Sequence, residues 1–168
     1  MKFQIRRPRL EPLVQKSLTE LAGKQARALA WGQDTNGRWC VIARAGLFVG
    51  EPGEWKHWRW PQIQSGSWMA DNGQLRWEYE GGVGTFRPVE PGFIPQMFRE
   101  MVDSSILVMQ TIDIVGTPSG GQVAARRDPA DPTADIEWVT ARGKGTPDTE
   151  EIQQILDEEL GRLRAQFE

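Results

Sequence analysis

EWKHWRWPQIQSGSWMADNGQLRWEYEGG, residues 54 to 82, holds five of the chain's eight tryptophans, and its reading decides the fold. Within it Leu75, Trp77 and Tyr79 alternate with Arg76, Glu78 and Glu80. A period of two sends successive side chains to opposite faces, so the stretch belongs to an antiparallel sheet with one wet face. Asp71, Asn72 and Gly73 tolerate the backbone of a tight hairpin and predict a turn between strands at 67 to 69 and 74 to 79. Earlier in the stretch, Lys56, Trp58 and Trp60 share one parity, while Trp55, His57 and Arg59 share the other. On a continuous strand both faces would then carry tryptophan, so at least one indole lies outside a barrel interior. That indole is expected on the surface, covered by a terminal helix or by a partner.

Upstream, Asn36-Gly37 joins strand-like segments at 26 to 31 and 38 to 43, and Leu47 to Val49 adds a third. Ahead of them Leu10, Leu13, Val14, Leu18 and Leu21 fall at helical spacing, with Pro12 in the first turn and Gly23 as a stop. Downstream, a short strand is expected at 85 to 89. Phe93, Ile94, Met97, Phe98, Met101 and Val102 then mark an amphipathic helix reaching about residue 106. A hairpin of strands 106 to 115 and 122 to 127 follows, then an exposed, proline-containing loop at 128 to 135 and a strand at 136 to 140. The last element is a helix over 146 to 167, with Thr146 as its cap, Pro147 in the first turn and a stripe of Ile152, Ile155, Leu156, Leu160, Leu163 and Phe167.

The fold class expected is α+β: an antiparallel rolled sheet or small β-barrel with a capping helix, an additional β-hairpin and a C-terminal amphipathic helix. With 168 residues and no linker or repeat, 1–168 is read as a single domain, its barrel core and capping helix at 24–105 and its extension at 106–168. The one cysteine, Cys40, excludes an intrachain disulfide and sits in an apolar run as a small hydrophobe. The N-terminal residues lack the apolar stretch of a signal peptide, and nowhere do about 18 apolar residues run together. A cytoplasmic location without a transmembrane segment is expected.

RWCVIARAGLFVG at 38 to 50 and WRWPQIQSGSWMADNGQLRW at 58 to 77, with the helix that follows the last strand, carry a resemblance. The step Trp60, Pro61, Gln62, Ile63, then Ser67 to Met69, then Asp71 to Gly73, resembles bacterial pleckstrin-homology-like domains over residues 26 to 105. The chain also resembles a conserved group of actinobacterial proteins of unassigned function that carry this block. The resemblance implies a rolled antiparallel barrel plugged by a helix, used for binding proteins, peptides or lipid head groups, and implies no catalytic residue. The N-terminal helix and about 60 residues after the barrel depart from that pattern.

The catalytic chemistries each lack a part. His57 is the only histidine, and a surface or ring-stacked role accounts for it better than a triad. Asp128, Asp131 and Asp135 lack the glycine and terminal glutamate of a calcium loop, and Gly81, Gly82 and Gly84 lack the lysine of a phosphate loop. No catalytic set, no metal site and no cofactor is therefore assigned. The chain is read as a protein-interaction or scaffold domain with a protein partner and with Trp55, His57, Trp58, Arg59, Trp60 and Trp77 as candidate interface. One alternative is a ligand-binding or enzymatic pocket around His57, Trp77 and Glu78. Another is an anionic-surface binder using Arg6, Arg7 and Arg9. Residues 1 to 60 carry 11 Lys and Arg against 5 Asp and Glu, and the remainder 9 against 18. The overall pI of about 5.3 speaks against nucleic acid. The sequence leaves the oligomeric state open.

Overall fold

A computed structural model describes residues 9–167. These residues fold as α+β, with three antiparallel sheets of three or four strands and three α-helices. Helix α1 spans Pro12–Ala22. Strands β1 (Ala28–Gln33), β2 (Trp39–Ala43), β3 (Gly46–Glu51) and β4 (Glu54–Trp58) then run as a four-stranded meander. After a 3-10 turn at Trp60–Gln62, strands β5 (Ile63–Met69), β6 (Gln74–Tyr79) and β7 (Gly82–Phe86) form a second meander of three strands. Helix α2 (Ile94–Ser104) follows. Strands β8 (Ile106–Ile112), β9 (Gly121–Arg126) and β10 (Glu137–Arg142) make the third sheet in the order β10-β9-β8, and helix α3 (Glu150–Ala165) ends the fold.

Among the described residues no sheet closes on itself, so the small barrel expected is instead a set of open sheets, each with two terminal strands. The main core is gathered from the first two sheets and α2. Ile42, Leu47, Trp60, Ile63, Leu75, Trp77 and Ile94 are fully buried in it, with Phe98 and Met101 from the helix. Alternation along β3 divides the first sheet's two faces: Leu47 and Val49 enter this core, while Phe48 enters a second cluster with Val14 and Leu18 of α1. Helix α1 thus covers the outer face of the first sheet. Each buried leucine or valine there contributes roughly 1.5–3 kcal/mol of transfer free energy.

Several boundaries differ from the sequence expectation. The strand holding Trp58 ends there, and Pro61 closes a 3-10 turn that rotates Trp60 inward, so residues 58 and 60 are not two positions of one strand. β7 starts three residues earlier than expected, at Gly82. The extension is a three-stranded sheet rather than a hairpin alone, because β10 pairs with β9 from Glu137↔Arg126 to Arg142↔Gly121. The cap of α3 is Thr149, whose hydroxyl accepts from the Ile152 amide at 3.3 Å. The expected cap, Thr146, is buried and donates to the Gly120 carbonyl at 2.6 Å. Thr149→Ala should therefore lower stability by about 1 kcal/mol, read as a shift of the denaturation midpoint, whereas an unchanged midpoint would remove Thr149 as the cap.

Candidate functional site

The tryptophans of the opening stretch divide among three environments. Trp60 and Trp77 are 0% and 1% exposed, so the core holds these two interface candidates and the surface does not. Trp60 donates from Nε1 to the Ala43 carbonyl at 2.8 Å and meets Phe98 edge-on. Trp58 is half-buried against the same core, at 5.2 Å from Trp77 and 5.3 Å from Tyr79 between ring centroids. Trp55, on the opposite face, packs into the cluster beneath α1, and its Nε1 donates to Ser17 Oγ at 2.8 Å. The indole expected outside the core exists, and the N-terminal helix covers it.

His57 stacks on Phe48 at 4.1 Å, and its Nε2 lies 2.8 Å from the Ala45 carbonyl, which fixes the Nε2–H tautomer. Trp77 points into the main core from β6, while Phe48 and its stacked His57 belong to the other face of the first sheet. Glu78 pairs with Arg76 at 2.8 Å. The structure therefore does not bring His57, Trp77 and Glu78 to one pocket. Cys40 is fully buried, and burial pushes its thiol up to about 12, which removes it as a nucleophile. Asp128 and Asp131 accept backbone bonds from Ala130 and Thr133, so their carboxylates close turns in the 128–135 loop. Asp128 is itself buried, unlike the exposed loop expected there. Arg6 and Arg7 lie outside the described residues, and Arg9 is exposed.

Two features were not foreseen. The first is a buried polar joint between the third sheet and the rest of the molecule. Arg126 of β9 is 3% exposed and donates to the Trp60 carbonyl at 2.7 Å, to Ser105 Oγ from Nε at 3.0 Å, and to the Ile63 carbonyl. Burial pushes its guanidinium down to about 10, opposed by the nearby Glu137 carboxylate, so it stays charged at neutral pH. Arg59 forks onto Glu137 at 2.9 and 3.1 Å, and this hydrogen bond raises the guanidinium's pKa against partial desolvation. The basic first part of the chain meets the acidic second part at this pair.

The second is an open groove of about 880 Å³ between β5 and α2, lined by Gly66, Ser67 and Trp68 on one side and by Pro95, Phe98, Arg99 and Val102 among others on the opposite side. β5 is the terminal strand of its sheet. Gly66 is required there by close packing, since a β-carbon built on it would overlap the Phe98 ring. The floor is aromatic and aliphatic; the rim carries Gln96, Arg99, Glu100 and Asp103. No signal in the sequence marks this groove, because Trp68 and Val102 come together only when α2 docks.

Fold and groove together define an α+β chain of three antiparallel sheets with a groove between a terminal strand and a helix. No protein-family model, no curated protein and no solved structure matches this chain. Among the described residues no helix is long and apolar enough to cross a membrane, and no group of three or more His, Cys, Asp and Glu side chains is placed to hold a metal ion.

Proposed function

We propose that this chain is a protein-interaction domain that takes an extended segment of a partner protein into the groove between β5 and α2. The observation that carries the reading is the groove's position between α2 and the terminal strand β5, with an apolar lining from Trp68, Phe98 and Val102. An unpaired strand edge offers backbone donors and acceptors to an incoming chain, and a pocket beside it selects among the incoming side chains. A four-stranded meander, a three-stranded meander and then a helix is an order that supports the pleckstrin-homology-like reading of residues 24–105, for which peptide binding is one implied use. The mixed charges of the rim, Arg99 beside Glu100 and Asp103, favour a peptide with an apolar anchor over a polyanion. A cytoplasmic setting belongs to the same proposal.

The test is selection of displayed random peptides on the full chain. Enriched peptides should carry an aliphatic or aromatic anchor and should lose at least tenfold in affinity on Trp68→Ala and on Val102→Glu, with folding checked by circular dichroism. Peptides that bind both variants as well as the parent chain would overturn the reading, and so would no enrichment over the Val102→Glu chain. Binding to acidic vesicles that falls with salt and with Arg9→Ala would favour the anionic-surface alternative instead.

A further inference from the structure

We infer that Asn72 is a site of spontaneous modification: its side-chain amide is lost to the neighbouring backbone through a succinimide, leaving aspartate and isoaspartate in the β5–β6 turn. The chain has two asparagines, Asn36 and Asn72, and glycine follows each. Both pairs read as hairpin turns in the sequence, and both asparagines are exposed in turns of the fold. Glycine lacks the β-carbon that would shield its nitrogen and restrict the backbone around it. As sequence the two pairs are chemically equal, and the fold is what separates them.

The reaction needs only water. The Gly73 amide nitrogen gives up its proton and attacks Cγ of Asn72; a C–N bond forms, the Cγ–Nδ2 bond breaks, and the side-chain nitrogen takes up a proton and leaves as ammonia. Water then opens the ring at either carbonyl, and no atom is oxidised or reduced. For this the glycine amide must be free to turn onto Cγ. At Asn36 it is held. Gly37 donates to the Asp34 carbonyl at 3.2 Å, the Asp34 amide donates to the Arg38 carbonyl at 2.9 Å, and Asp34 Oδ1 accepts from the Asn36 and Arg38 amides at 2.9 and 3.0 Å. The Asn72 turn is tied more loosely: the Asn72 amide donates to the Met69 carbonyl at 3.1 Å, and the Gly73 amide has no acceptor among the described residues. Space does not distinguish the two, since a β-carbon built at either glycine would meet nothing within 4 Å. The difference lies in the hydrogen bonds that ring closure must break, and each one broken opposes the reaction at Asn36. At Asn72 the product places a second carboxylate beside Asp71. As isoaspartate it also lengthens the turn that closes at Met69↔Gln74, next to the pair Trp68↔Leu75.

The full chain, held at mildly alkaline pH, tests this by peptide mapping with fragmentation that separates aspartate from isoaspartate. In the folded chain Asn72 should convert at least fivefold faster than Asn36. In urea, where both turns are lost, the two rates should come together, because glycine follows both residues. Asp34→Ala removes the carboxylate that holds the Asn36 turn, so it should speed Asn36 at least threefold and leave Asn72 unchanged. Should that variant fold poorly, the comparison of folded and urea-treated parent chain still decides. Equal rates in the folded chain, a faster Asn36, or an Asn72 that keeps its amide when folded and loses it in urea overturns the inference. The reaction involves no partner, so either result leaves the peptide-binding proposal standing on its own test.

Discussion

Arg126→Ala is expected to destabilise the chain by about 3–5 kcal/mol, read as a fall in the urea midpoint at unchanged slope. The side chain is buried and supplies the donors for the Trp60 and Ile63 carbonyls and for Ser105 Oγ, three acceptors drawn from the 3-10 turn, β5 and the end of α2. Truncation removes those donors, leaves the Trp60 carbonyl with the Ile63 amide alone, and opens a cavity. Domains of this size have roughly 5–15 kcal/mol in total, so the variant would stand near the folding threshold. Arg126→Met separates the two contributions, since it keeps most of the volume and removes every donor. It should still lose about 2–3 kcal/mol if the hydrogen bonds matter as argued. Recovery of nearly full stability by methionine would reduce Arg126 to a space filler. Lysine should fall between, because one ammonium cannot reproduce the planar fork.

Gly84→Ala is expected to cost about 2–3 kcal/mol although it adds a single methyl group on a strand. Gly84 pairs with Trp77 across β6 and β7, and the Trp77 indole lies over it so closely that a β-carbon would overlap Cε2. The backbone at 84 is not among the glycines with positive φ, so the requirement is for space and not for conformation. Trp77 is also 1% exposed, and its Nε1 is the one buried side-chain nitrogen or oxygen left without a hydrogen-bond partner among the described residues. Trp77→Phe removes both the colliding part of the ring and the unsatisfied donor. In the double variant the penalty of Gly84→Ala should shrink by at least 1 kcal/mol, a coupling that a double-mutant cycle measures directly. Strict additivity would show that Gly84 and Trp77 do not share the space the structure gives them.

Local patterns were legible where one residue's neighbours in the chain decide its state. Asp71 to Gly73 turned the β5–β6 hairpin as read, and alternation from Gln74 to Tyr79 gave β6 its bounds. The parity of residues 55 to 58 separated Trp55 from Trp58 onto different faces correctly. Trp60 joins Trp58 in the same core as that parity put it, although the strand ends at Trp58 and a 3-10 turn through Pro61 carries Trp60 inward. Thr146 and Thr149 both precede an acidic first turn, and only the demand of the Gly120 carbonyl for a donor decides which of them caps α3.

Composition and spacing by themselves determined that this chain is α+β and that its sheets are antiparallel, since hydrophobic period and turn chemistry act over a few residues. The tertiary structure alone decided what those tryptophans are for. Trp60 and Trp77 fill the core, Trp55 is hidden by α1, and Trp68 lines the β5–α2 groove. It also decided that Arg126, one of 20 basic residues in the sequence, is the buried joint of the fold. The reason is physical: burial and hydrogen-bond satisfaction depend on groups 20 to 70 positions away along the chain, as Arg126 with Ser105 and Trp60 shows, and no local pattern encodes that distance.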